Sequence, residues 1–244
     1  MYNTGQFSLD LRSLGIELTK EQIDQFLLYY ELLVEWNSFM NLTAITEYDE
    51  VMKKHFVDSL SLVKAYNLDD RLSKGHVKLI DVGTGAGFPG LPLKIAFPGL
   101  QVTLLDSLNK RVNFLNEVIG QLGLKNIRAI HGRAEDFARQ ENDRESYDLC
   151  VSRAVANMST LCEYCLPYVK CGGSFISYKS EKTSEELERA GKAISLLGGK
   201  LEYQTEFYLP DSDIYRNLVE IRKVKNTPGK FPRKAGLPAK EPLV

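Results

Sequence analysis

Apolar residues recur at helical spacing early in the chain: Ile23, Phe26, Leu27, Tyr30, Leu33 and Val34. They follow Thr19 and Gln22, spaced as a capping box, so a helix is expected to begin there. A second helical stretch is expected over 50–66, with Val51, Phe56, Leu60 and Val63 facing a core. The polar connection 37–46 lies between them, and Trp36 reads as core. From residue 77 the period changes. Short apolar runs at 77–82, 100–105, 127–130, 147–152 and 174–178 alternate with helical patterns at 90–97, 109–122, 134–139, 158–168 and 185–197. Such alternation predicts a parallel sheet covered on both faces. Residues 200–209 and 214–224 also read as strands, and the short link between them permits only an antiparallel pair. The expected fold is therefore α/β, a seven-stranded mostly parallel sheet ending in an antiparallel hairpin, with an N-terminal helical extension (1–66) before the sheet domain (67–244).

The chain has 244 residues, 43% of them hydrophobic, enough for one sizeable core. A formal net charge of -1 excludes a uniformly basic nucleic-acid binder but leaves room for a local basic face. Residues 1–10 lack the pattern of a signal peptide, and no apolar run approaches the ~20 residues that span a bilayer. A cytoplasmic, monomeric protein without membrane contact is expected. Cys150, Cys162, Cys165 and Cys171 read as reduced thiols. Cys162-x-x-Cys165 lacks a second half-site, so no metal is expected.

The chemistry points to the loop Asp81-Val82-Gly83-Thr84-Gly85-Ala86-Gly87-Phe88-Pro89-Gly90, at a strand-to-helix turn. Glycines there let backbone approach a ligand, and the next helix would aim free N–H groups at an anion. Gly85, Gly87 and Gly90 match the dinucleotide pattern G-x-G-x-x-G. Against that reading stand Asp81, placed to meet an ammonium group, Pro89 inside the loop, and the terminal hairpin. An S-adenosylmethionine methyltransferase, a class associated with this sheet architecture, is therefore preferred to a dehydrogenase. Asp106, ending the second strand, can accept ribose hydroxyls or cap the helix that follows. Ala134 and Glu135 lie where such enzymes contact adenine.

After the fourth strand the chain reads Ser152-Arg153-Ala154. With Trp36-Asn37-x-x-x-Asn41-Leu42-Thr43, His55-x-x-Asp58-Ser59, the glycine loop, Arg133-Ala134-Glu135 and the segment Pro228 to Lys234, it resembles the bacterial 16S ribosomal RNA guanine-N7 methyltransferase G family, formerly called glucose-inhibited division protein B. The resemblance covers nearly the whole chain. It implies a Rossmann-like fold and methylation of guanine N7, at position 527 of the 530 loop of 16S rRNA, on free RNA or the small ribosomal subunit. It also implies cofactor contacts at Gly83, Phe88, Ala134, Glu135 and Arg153; Asp81, Gly85, Gly87 and Asp106 complete the expected set.

Guanine N7 has a lone pair and no proton, so no general base is needed. His55, His76 and His131 read as surface or helix-end residues. Arg153 is expected to position the site through the cofactor carboxylate, an RNA phosphate or guanine O6, or else to form a structural ion pair. Residues 222–244 hold seven Lys or Arg and one acid. Lys230, Arg233 and Lys234, with Phe231 for stacking, are expected to grip RNA together with Lys110, Arg111 and Lys179; a merely solvated tail is the alternative.

Overall fold

The computed structural model describes residues 2–181 and 183–244. Among them, seven strands form one sheet: β1 (Lys78–Val82), β2 (Gln101–Asp106), β3 (Ile127–His131), β4 (Tyr147–Arg153), β5 (Val169–Lys179), β6 (Gly199–Tyr208) and β7 (Tyr215–Lys223). Their order is β3-β2-β1-β4-β5-β7-β6. β1 to β5 pair in parallel, and β7 lies antiparallel to both β5 and β6. The chain leaves β1 toward β2 on one side and returns to β4 on the other. The crevice at the C-terminal ends of β1 and β4 is thus a topological switch point, where ligands bind in open α/β sheets.

Period-two alternation sorts the strand residues between two cores. Leu79, Leu104, Leu149, Val151 and Ile176 join one cluster, and Ile80, Leu105, Cys150, Phe175 and Val219 the other. The helices are α1 (Gly5–Ser13), α2 (Lys20–Met40), α3 (Tyr48–Val51), α4 (Asp58–Leu60), α5 (Leu68–Ser73), α6 (Gly90–Ala96), α7 (Asn109–Gln121), α8 (Ala134–Phe137), α9 (Met158–Cys165), α10 (Ser184–Leu196) and α11 (Leu237–Lys240). The first core lies under α1, α2, α6 and α7, and the second under α8, α9 and α10. Cys150, Cys162 and Cys165 are free and buried in the second core, while Cys171 is free and exposed.

The first 66 residues have no separate core. Phe7, Phe26, Tyr29 and Phe56 share one cluster with Leu79 and Leu104 of the sheet and Phe114 of α7. Polar contacts reinforce this union. The capping box at Thr19 forms as its spacing predicts, and the same Gln22 also donates to the carbonyls of Ile95 and Ala96 at the end of α6. Gln25 does so for Leu122 after α7. The expected boundary at 66/67 therefore divides the sequence but not the packing.

The helical stretch expected over 50–66 forms, over 48–64, but it is not a regular α-helix. Between α3 and α4 lies a π-helical turn, Met52–Val57, and Ser61–Lys64 is 3-10. Such turns interrupt the regular ladder and are frequent at functional sites. Here the turn carries Lys54 and His55 and leads directly to Asp58.

Candidate active site

Alternation along β1 puts Asp81 on the face with Leu79, beneath α6. Its carboxylate is fully buried. Oδ2 accepts hydrogen bonds from Thr84 Oγ1 (2.6 Å) and Gly90 N (2.8 Å), whereas Oδ1 has no partner. The first amide of α6 is thereby satisfied, so it is not free for an anion as the loop's sequence suggests. Burial, partly offset by those two hydrogen bonds, pushes the Asp81 carboxyl up to about 6.

The glycines divide into two kinds. Gly83 (φ 72°) and Gly85 (φ 62°) are half-buried in the left-handed region, and the space beside Gly85 is open. At Gly83 a Cβ would stand 2.6 Å from Val155 Cγ2, so the segment after β4 lies against this part of the loop. Gly87 and Gly90 serve packing. A Cβ on Gly87 would meet Leu91 at 2.4 Å and the Tyr29 hydroxyl at 2.7 Å, and one on Gly90 would meet Leu104 at 2.4 Å. Gly87, also expected among the cofactor contacts, has its side-chain direction turned inward, which lets α2 approach.

That approach is specific. The Tyr29 hydroxyl donates to the Ala86 carbonyl at 2.5 Å, and its ring stacks on buried Phe88 at 5.5 Å. On Phe88 also lie His55, stacked at 4.5 Å, and the Arg153 guanidinium, 5.0 Å from the ring centroid. His55 is therefore no surface residue, although His76 and His131 are exposed. Thr43 Oγ1 meets His55 Nε2 at 2.9 Å, and Asn37 Oδ1 accepts from Thr43 N. Asn41, left-handed at the end of α2 (φ 51°), turns the chain there. Burial and the Arg153 charge push His55 down to about 4, so it is neutral near pH 7.

Arg153 ends β4, and its Nη1 donates to Asp58 Oδ2 at 2.7 Å. Asp58 Oδ1 accepts from Arg216 Nε at 2.6 Å. Arg153 thus forms a structural ion pair, and that pair has a second arm. The antiparallel register explains this: Asn217 pairs with Lys179, which sets Arg216 at the C-terminal end of β5. Arg153, Arg216, Lys54 and Lys179 line a cleft of about 400 Å³ with Asp58, His55 and Glu181, four cations against two carboxylates. Asp58, Arg216 and Tyr178 were not expected here. The His55-x-x-Asp58-Ser59 pattern was the available signal for Asp58, whereas nothing local in the sequence marks Arg216.

Asp106 ends β2. Its Oδ1 accepts from Leu108 N at 2.9 Å, and Oδ2 accepts from Gly85 N at 2.9 Å and Arg111 Nη1 at 3.4 Å. It therefore joins the glycine loop to the start of α7. Lys110 reaches the Met40 carbonyl at 3.4 Å. Glu135 is buried, with Oε1 accepting from Gly236 N at 2.7 Å, and the Ala134 carbonyl accepts from Tyr168 Oη at 2.5 Å.

The tail differs most from expectation. Phe231 is only 5% exposed and packs in the second core, so it offers no stacking face to RNA. Arg233 forms an ion pair with fully buried Glu163, Nη2 to Oε2 at 2.7 Å, and is not a free phosphate ligand. Lys230 and Lys234 remain exposed. Lys179 pairs with Glu186 at 2.7 Å.

A family model described as rRNA small subunit methyltransferase G matches residues 22–215. The chain belongs to this family. It is 59% identical over 244 residues to the ribosomal RNA small subunit methyltransferase G of Lachnoclostridium phytofermentans, covering 100% of this chain and 99% of the relative. To that of Alkaliphilus metalliredigens it is 52% identical over 232 residues, 95% of each. A chain from the complex containing the Haloferax volcanii Trm112 methyltransferase activator shares the fold, with TM-score 0.54 at 15% identity, covering 73% of this chain and 93% of the other. The protein is thus an S-adenosylmethionine-dependent rRNA methyltransferase with a Rossmann-like fold. The geometry accommodates that cofactor: Asp81 Oδ1 lacks a partner, the space beside Gly85 is open, and Asp106 stands at the strand tip. Among the described residues no group of three His, Cys, Asp or Glu could hold a metal, and no helix is long and apolar enough to cross a membrane.

Proposed function

We propose that the chain methylates N7 of a guanine in the 530 loop of 16S rRNA, position 527 in the usual bacterial numbering. It would act as a cytoplasmic monomer on the RNA of the small subunit. The observation that carries this reading is the state of the groups facing the Arg153 cleft. His55 is neutral and ends on Thr43, and both Asp58 oxygens are held by arginines. His55 is thereby a weak base, Asp58 is neutralised by two guanidiniums, and Glu181, the other carboxylate of the cleft, is exposed to solvent. Such a site suits a nucleophile that has none to lose, as guanine N7 does.

Gly83 and Gly85 would place backbone against the cofactor, Asp81 Oδ1 would receive its ammonium group, Asp106 its ribose hydroxyls, and Ala134 with Glu135 its adenine. A carboxylate has about four acceptor positions, and the Arg111 contact of 3.4 Å is the weakest of the three present at Asp106, so exchange for a hydroxyl costs least there. S-adenosylmethionine supplies a sulfonium methyl as the electrophile. The chain's task is to hold N7 in line with that methyl at about 3 Å and exclude water. Arg153 and Arg216, leaning on Asp58, would present cationic edges to guanine O6 or a neighbouring phosphate. Exposed Lys110, Lys230 and Lys234 would add weaker phosphate contacts.

The test is primer extension after borohydride and aniline cleavage of 16S rRNA from a strain lacking the gene. The N7-methylguanine stop in the 530 loop should vanish and return with the gene. An undiminished stop overturns the assignment. Methyl transfer at another rRNA position would leave the family activity intact and refute only the position.

A further inference from the structure

Beyond β7 the chain does not trail into solvent. β7 runs antiparallel to β5, so Lys223 lies at the sheet edge opposite the active site. From there residues 224–244 climb the α9 side of the molecule. Four sets of bonds fix the path in order. Thr227 Oγ1 donates to the Leu197 carbonyl after α10, and Thr227 N donates to Glu145 Oε1 at 2.6 Å. Arg144 donates to the carbonyls of Thr227 (2.8 Å) and Phe231 (2.9 Å) while the Phe231 ring is buried. Arg233 then clamps fully buried Glu163 of α9. Last, Gly236 N donates to Glu135 at 2.7 Å, and Thr160 Oγ1, in the first turn of α9, donates to the Pro238 carbonyl at 3.1 Å.

The strap thus reaches the catalytic edge of the sheet, and there Gly236 bonds a residue expected to touch the cofactor. A buried carboxylate with one oxygen bonded to a fixed amide keeps a single rotamer, and such a charge-assisted bond is stronger than a neutral one. Gly236 suits this role because its φ of 83° is costly for any residue with a Cβ, while nothing lies within 4 Å of where a Cβ would be. Tyr168 holds the adjacent Ala134 carbonyl. Both members of the Ala134–Glu135 pair are therefore set by elements distant in sequence.

We propose that the C-terminal strap positions the adenosine subsite, with Gly236 acting through Glu135. This rests on the reading of Ala134–Glu135 as a cofactor contact. It assigns the basic tail a cofactor role that its composition does not suggest.

The experiment is calorimetric titration of the full chain with S-adenosylhomocysteine. Gly236→Val forbids the left-handed backbone yet leaves the Arg233–Glu163 pair in place; Glu163→Gln loosens the strap by removing the charge that holds Arg233. Each should raise the Kd about tenfold, the worth of one hydrogen bond to a charged group. In a Glu135→Ala background neither should raise it further, a non-additivity that a merely structural role would not produce. Unchanged affinity in folded Gly236→Val, or additive losses, would overturn the strap's role while Glu135→Ala still weakens binding. If Glu135→Ala itself leaves the Kd unchanged, the adenine reading falls and the strap proposal with it.

Discussion

The guanidinium of Arg153 lies 5.0 Å from the centroid of the Phe88 ring, which joins the end of β4 to the glycine loop after β1. His55 shares that ring, and Asp58 holds the same guanidinium. The glycine loop and the cationic cleft therefore form one packed unit, so a change in either should be felt in both.

Asp58→Asn should be severe. Arg153 and Arg216 are only 14% and 16% exposed, and the substitution leaves two guanidiniums facing each other without a carboxylate. Breaking a buried pair in this way costs about 3–5 kcal/mol. Urea denaturation should show a loss of that order, and methyl transfer should fall with it.

Half-buried His55 and buried Asp81 oppose each other in pH dependence. His55 is depressed to about 4 from 6.5, so the unfolded chain binds more protons between those values and stability from His55 is lost as pH falls through that window. Asp81 is raised to about 6 from 3.8, so the folded chain binds more protons there and stability from Asp81 is lost as pH rises from about 4 to 6. His55→Gln should leave a protein whose denaturation midpoint declines from pH 4 to 6. Asp81→Asn should leave one whose midpoint rises from pH 4 to 6.5. A flat profile in both variants would contradict the assignment.

At the glycine loop, Gly83→Ala should weaken S-adenosylhomocysteine binding, because the new methyl would stand 2.6 Å from Val155. Val155→Ala in the same chain should recover part of the loss. Gly83→Asp should abolish binding. Gly85→Ala meets no neighbour in the protein, so about 1–2 kcal/mol of left-handed strain is its cost to stability, while its methyl would enter the space proposed for the cofactor and weaken binding further.

Tyr29→Phe removes a buried hydroxyl that satisfies the Ala86 carbonyl. An unsatisfied buried carbonyl costs about 1–3 kcal/mol. Thermal unfolding should register that loss, and cofactor affinity should drop even though Tyr29 belongs to the N-terminal helices.

On the tail, Lys230→Ala and Lys234→Ala should lower RNA affinity and reduce the salt dependence of log K by about 0.7 per residue, as expected for single-stranded phosphate contacts. Arg233→Ala should act chiefly on stability, since Glu163 would remain buried and charged. Filter binding at several salt concentrations, beside unfolding curves, separates the two effects.

Local order determined what the sequence alone could specify. Apolar periodicity placed the strands and most helices, the short link between β6 and β7 required an antiparallel hairpin, and the spacing of Asp81, Gly83 and Gly85 marked a tight glycine turn after β1, because these are constraints between near neighbours along one backbone. Tertiary structure decided which residues share a site. Register set Arg216 beside Asp58, the packing of α2 turned Gly87 inward toward Tyr29, and the antiparallel course of β7 sent the tail back up to Glu135. The basic composition of that tail suggested an RNA grip, yet a buried glutamate on α9 claims Arg233 and the core claims Phe231. Charge and aromaticity are properties of a residue; whether they face solvent or a partner depends on elements far away in the chain, and no local pattern records them.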